Sequence, residues 1–110
     1  MKKLFIAAFM FVSTFGTNVM ADGHAIKMGI ILGFTGPIES LTPAMAGSAE
    51  LAFKEASDSG SLLGGKKIEV VRADSTCVDS AAATAAAEGV ISQGVAAIMG
   101  ADCSGVTGAI

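Results

Sequence analysis

The stretch KKIEVVRADSTCVDSAAATAAAEGVISQGVAAIMGADCSG, residues 66–105, decides the fold. It opens on a run with branched residues and partial alternation, 66–74, which reads as a strand. The turn DSTCVD follows, and Asp79 is placed to cap a helix over residues 80–93. Ala83, Ala86, Ala87, Val90 and Ile91 form its apolar face, Gly94 is its stop, and Gly89 reads as a site of close helix-to-sheet packing. Residues 95–100, VAAIMG, give a second apolar run, expected to be a buried strand, and CSGVTGAI starts another helix.

The same rhythm extends upstream. AIKMGIILG, residues 25–33, reads as a strand buried on both faces, and FTGPIES breaks it. Thr42 followed by Pro43 gives a cap and a first-turn proline. Met45, Ala49, Ala52, Phe53 and Ala56 then make an apolar stripe, with Gly60 as the stop and SGSLLGG as a loop. Strand, helix, strand, helix, strand and helix start require right-handed crossovers, hence an α/β fold with a parallel sheet flanked by helices on both faces. Ligands of such sheets bind beyond the carboxyl ends of the strands. Three segments converge there: GFTGPIESLT, DSTCVD and DCSGVT.

The start of the chain speaks to compartment. Lys2 and Lys3 precede an apolar run over residues 4–15, and Val19 and Ala21 are small residues placed for cleavage after Ala21. Residues 1–21 therefore read as a signal peptide, and no cysteine follows the cut to carry a lipid. The remaining 22–110 hold five basic against ten acidic side chains, with no Trp or Tyr and no basic patch, which argues against a nucleic acid or anionic membrane partner. Two cysteines alone in an exported chain, Cys77 and Cys103, most simply form one disulfide. No metal is expected, because these cysteines and His24 have no ligand spacing of a known kind. Met28, Met45 and Met99 read as core fillers.

Candidate chemistry concentrates in the three loops. Ser104, Gly105 and Thr107 follow a strand and open a helix, so backbone N–H groups and two hydroxyls suit a carboxylate or another small anion. The plainer alternative makes Asp102 or Ser104 a helix cap. Thr35 and Gly36 carry the same double reading, as ligand contacts or as a tight turn before Pro37. A rival from another class takes ADCSG as a nucleophile elbow, with Cys103 attacking in an exported hydrolase. That reading needs a free thiol and a later histidine, and no histidine follows Cys103. GSLLGGKKIE lacks the Gly-Lys-Ser/Thr ending of a phosphate loop and leads into a strand, so no nucleotide or other cofactor is expected.

IKMGIILGFTGP, GSAELAFKEAS, the long stretch quoted at the outset with both cysteines, and the hydroxyl-bearing turn after Cys103 together resemble one known family. It is the type I periplasmic substrate-binding proteins of ABC transporters, in particular the branched-chain amino acid (Leu/Ile/Val) group. The resemblance implies two lobes, each a flanked parallel sheet, closing on a small solute such as an amino acid or amide and delivering it to a permease in the inner membrane. It puts Cys77 and Cys103 at the family's disulfide positions and gives the turn from Asp102 to Thr107 the solute's α-carboxylate, with Ser104 first and Thr107 second. It turns the first loop, Thr35 to Leu41, toward the solute side chain. Leu41 stands where amino-acid binders often carry an aromatic, and PAMAG replaces the usual run after it; relatives of this type also carry amides, urea or aromatic acids. The likeness covers only the first strands of one lobe, so the sequence reads as an incomplete N-terminal lobe, an N-terminal fragment. A ligand-sensing receptor domain of the same fold is the alternative within binding modules.

Overall fold

A computed structural model describes residues 24–110; the signal-peptide reading falls on residues outside these. Strand β1, Ile26–Leu32, leads through a first loop to helix α1, Thr42–Asp58. A short 3-10 turn at Leu62–Gly64, within the stretch expected to be loop, precedes β2, Ile68–Asp74. Helix α2, Ser80–Ser92, strand β3, Ala97–Gly100, and the single turn of α3, Ser104–Thr107, complete the order. The sheet runs β2-β1-β3 and is parallel throughout, with Ile30 opposite Arg72 on one side and Met99 on the other.

The central position of β1 explains its composition. Each of Ile30, Ile31 and Leu32 is at most 1 % exposed, and the alternation sends them to opposite layers. Ile30 and Leu32 pack with Ala46 of α1, joined by Phe53, Val70 and Met99. Ile31 packs with Ala87 and Val90 of α2, joined by Val71, Ala73 and Ile98. Truncating any of these β1 side chains to alanine carries a cost of about 2–5 kcal/mol.

Several local expectations are corrected. The buried stripe of α1 is Thr42, Ala46, Ala49, Phe53 and Ser57, while Met45 is 42 % exposed and Ala52 is exposed too. Counting apolar residues alone rotated the helix by roughly 60° at 3.6 residues per turn. Two polar residues belong to the inner face because their hydroxyls are used: Thr42 Oγ1 donates to the Gly33 carbonyl at 3.0 Å, and Ser57 Oγ accepts from the Ile68 amide at 2.8 Å. The cap of α1 is accordingly Leu41, with no side-chain bond. In α2, Ile91 is 61 % exposed on the flank, and Asp79 caps as expected, accepting from the amides of Ala81 and Ala82.

Gly89 has open space around it, and the close packing falls on Gly29 of the central strand. A Cβ there would stand 2.6 Å from Val90 Cγ1 and 3.1 Å from Ile98 Cγ1, so α2 rests directly on the backbone of β1. Strand β3 is shorter than expected and is not buried: Ala97 and Gly100 are exposed, because it forms an edge of this sheet.

Candidate functional site

At the carboxyl edge of the sheet the first loop, residues 33–41, lies between a second, 75–79, and a third, 101–103. Parallel pairing of all three strands is what brings these loops to one edge. Cys77 and Cys103 form a disulfide with a Cα separation of 5.3 Å, which ties the second loop to the third. Neither cysteine is free, so the nucleophile required by a Cys103 hydrolase is missing. Over the first loop the second approaches so closely that a Cβ at Gly33 would meet Cys77 Cβ at 3.1 Å. A Cβ at Gly36, whose φ is +93°, would run into the Thr76 carbonyl oxygen; glycine is required there on both counts.

Two carboxylates brace the first loop from either side. Asp74, the last residue of β2, accepts from the Thr35 hydroxyl at 2.6 Å, from the Thr35 amide at 3.3 Å and from the Thr76 amide at 2.8 Å. Burial would raise its carboxyl, but the bonds from Thr35 and Thr76 outweigh it and hold Asp74 below the usual carboxylate range. From the third loop, Asp102 Oδ2 accepts from the Gly33 amide at 2.8 Å. Asp102 is therefore a brace between loops, and the residue at the cap of α3 is Cys103, which makes no side-chain capping bond.

The remaining candidates divide by what their hydroxyls are doing. Thr107 Oγ1 donates to the Cys103 carbonyl at 2.9 Å, so its proton points back along its own turn. Ser104 is exposed at the opening of α3, and its hydroxyl makes no hydrogen bond to the other described residues. Leu41 is 60 % exposed at the far end of the first loop. The structure thus brings Thr35, Asp102, Cys103 and Ser104 to one edge, and gives Asp102 and Cys103 work within the frame itself.

Sequence reasoning missed two supports. Asp74 was read as the end of a strand, although an Asp followed two residues later by Thr is a signal for an Asx turn, and the bond from the Thr76 amide is of that kind. Arg72, within the strand over 66–74, enters the sequence reading only as one of the five basic side chains. Its guanidinium bonds both oxygens of Glu50 at 2.6 and 2.8 Å and lies 5.4 Å from the centre of the Phe34 ring, clamping the root of the first loop against α1. The Arg72 bond lowers the Glu50 carboxyl from its ordinary value.

A separate groove of about 420 Å³ runs between α1 and the amino half of β2, lined by Phe53, Ser57, Lys67 and Ile68 among others. It lies away from the three loops, and its charges are already engaged: Asp58 pairs with Lys54 and with Lys67, the latter at 3.6 Å. Among the described residues there is no group of three or more metal-ligating side chains, and no helix is long and apolar enough to cross a membrane.

A parallel sheet sandwiched by helices, with its carboxyl-edge loops stapled to one another and hydroxyls exposed on them, defines an α/β binding lobe. Residues 25–110 match the family model described as periplasmic binding protein, and the chain belongs to that family. No curated protein matches the chain. The family is one of ligand-binding proteins, generally without enzymatic activity.

Proposed function

We propose that the protein is the solute-binding component of an ABC transporter, exported to the periplasm after cleavage behind Ala21. It takes an amino acid or related small polar solute between two lobes and hands it to an inner-membrane permease. The single observation that supports this reading is the stapled rim: three loops from three parallel strands, joined by the Cys77–Cys103 disulfide and the Asp74 and Asp102 braces, with Ser104 and Thr35 exposed on it. Rigid loops of this kind lower the ordering cost of binding a small solute. Ser104 and the turn behind it hold the solute's carboxylate; Thr107, whose proton is committed to Cys103, supports that turn. Thr35 and Leu41 face the solute's other end.

Two measurements test this. A thermal-shift and calorimetric panel of amino acids and amides on the protein with both lobes present, repeated with Ser104→Ala, should show a response that the variant weakens about tenfold, the loss of one charge-assisted hydrogen bond. No response to any member of the panel would sink the solute-binding assignment. Export predicts a processed chain whose first residue is Asp22, and a protein recovered with Met1 intact would overturn that part.

A further inference from the structure

The rim has a polarity that the proposed function does not specify. Its loops, residues 33–41, 75–79 and 101–107, carry Glu39, Asp79 and Asp102, with Asp74 beside them at the end of β2, and no lysine, arginine or histidine. Arg72, close by, is spent on Glu50 and the Phe34 ring. Among the described residues, these loops offer no cation to an anionic group arriving at the first loop.

The hydroxyl of Thr35 sharpens this. A hydroxyl has one proton to give and two lone pairs to offer, whereas an ionised carboxylate only accepts. The 2.6 Å contact with Asp74 Oδ2 therefore has one sense: Thr35 donates. The two amides that converge on Asp74 Oδ1, from Thr35 and Thr76, keep the carboxylate from turning away. What the exposed Thr35 side chain has left for a solute is lone pairs alone.

We propose that Asp74 is a positioning residue that fixes the Thr35 hydroxyl as an acceptor, making the first loop a subsite for a hydrogen-bond donor on the solute. The chemical class is an N–H group: an amide, urea or amine nitrogen. A carboxylate or a purely aliphatic end is disfavoured there. This rests on the solute-binding reading and narrows it, since the carboxylate-accepting end of the site then belongs to Ser104 and the donor-bearing end to Thr35.

Substitution of Asp74 by Asn gives a test that a merely structural role does not pass. In Asp74→Asn the side-chain oxygen must still face the Thr35 and Thr76 amides, because two amide donors cannot face an NH2 group. The new NH2 then faces Thr35 Oγ1 and donates to it, which frees the Thr35 proton. The subsite changes from acceptor to donor with almost no change of shape.

The experiment is a titration of the uniformly 15N-labelled full chain with acetamide and, separately, acetate, followed at the backbone amides of Thr35, Thr76, Ser104 and Thr107. Acetamide is expected to shift Thr35 and Thr76 at concentrations at least about tenfold below those at which acetate does so, the energy scale of one hydrogen bond. Asp74→Asn should lower that preference at least tenfold or invert it. Thr35→Val, which keeps the volume and removes the hydroxyl, should abolish the acetamide response at Thr76 without needing the Asp74 variant to fold.

Acetate preferred over acetamide at Thr35, or a preference unchanged in Asp74→Asn, would overturn the inference. Shifts confined to Ser104 and Thr107 would overturn it too while leaving the proposed function standing. Silence of all four amides with both probes would remove both.

Discussion

The disulfide offers the sharpest test of how the rim is held. It spans a sequence separation of 26, and the chain-entropy account assigns closure of such a loop about 3.5 kcal/mol of stability. Part of this is offset in the native state. Cys77 sits at φ +70°, and a non-glycine residue in the left-handed region costs roughly 1 kcal/mol. Thr76, at φ +58°, has similar strain, but the bond from its amide to Asp74 holds it whether or not the disulfide is present. Cutting the crosslink therefore releases the strain at Cys77 only. A paired Cys77→Ala and Cys103→Ala variant should lose about 2.5 kcal/mol, a drop in melting temperature of roughly 10–20 °C for a domain of this size. Far-UV circular dichroism is the assay of choice, since the chain has no Trp or Tyr to report by fluorescence. A fall of less than about 3 °C would show that the Asp74 and Asp102 bonds already fix the loops and that the crosslink adds little; the entropy argument would then be wrong for this rim.

Three further outcomes are expected. Gly29→Ala places a Cβ 2.6 Å from Val90 Cγ1 and should destabilise by about 1–3 kcal/mol through overpacking, measured by urea denaturation; an unchanged midpoint would mean that α2 can lift from β1 at no cost. Asp79→Ala removes the acceptor of two α2 amides and should cost about 1 kcal/mol, with loss of amide-exchange protection confined at first to Ala81 and Ala82. Asp74 and Glu50 both have carboxyls held below their ordinary values, so the folded state resists protons that the unfolded chain accepts. Their stabilisation is present above the ordinary carboxylate range and is lost as pH falls through the depressed folded values. The Thr35 and Thr76 amide resonances should thus titrate together below 3.8, the ordinary value for Asp, and a midpoint above it would contradict the bracing role of Asp74.

The architecture was legible because the apolar runs are short and strongly bounded: the order β-α-β-α-β-α, the parallel sense and the Asp79 cap all follow from turn chemistry and period. What was not legible has a common physical cause. Thr42 and Ser57 are polar residues on an inner helix face, and a count of apolar positions discards them, although each hydroxyl there bonds a backbone group of a neighbouring segment. Gly89 and Gly29 look alike in a sequence; which one is close-packed depends on where the helix crosses the sheet. At the site, the convergence of the three loops was legible, since the carboxyl ends of parallel strands must share an edge. The division of labour within it was not, because whether a Thr or Asp faces a solute or a neighbouring loop depends on distances between loops far apart in the chain.

That division bears on how the rim works. Of the residues expected to contact a solute, Asp102 also bonds the Gly33 amide, Cys103 also carries the disulfide, and Thr107 spends its proton on its own turn. The frame is built from polar bonds and one covalent link, while the apolar layers end beneath it at Leu32 and Val106, each 1 % exposed. Loops fastened this way are ordered before a solute arrives, so little of the binding energy is spent on immobilising them. The same bonds also fix the direction of each hydroxyl proton they involve. A rim held by packing alone would leave its hydroxyls free to rotate toward donors and acceptors alike; one held by Asp74 and by the Cys103 carbonyl presents lone pairs at Thr35 and Thr107 and leaves a free proton at Ser104. Rigidity and selectivity here come from one set of hydrogen bonds, so a substitution that loosens the rim should blur its preference as well as weaken its affinity.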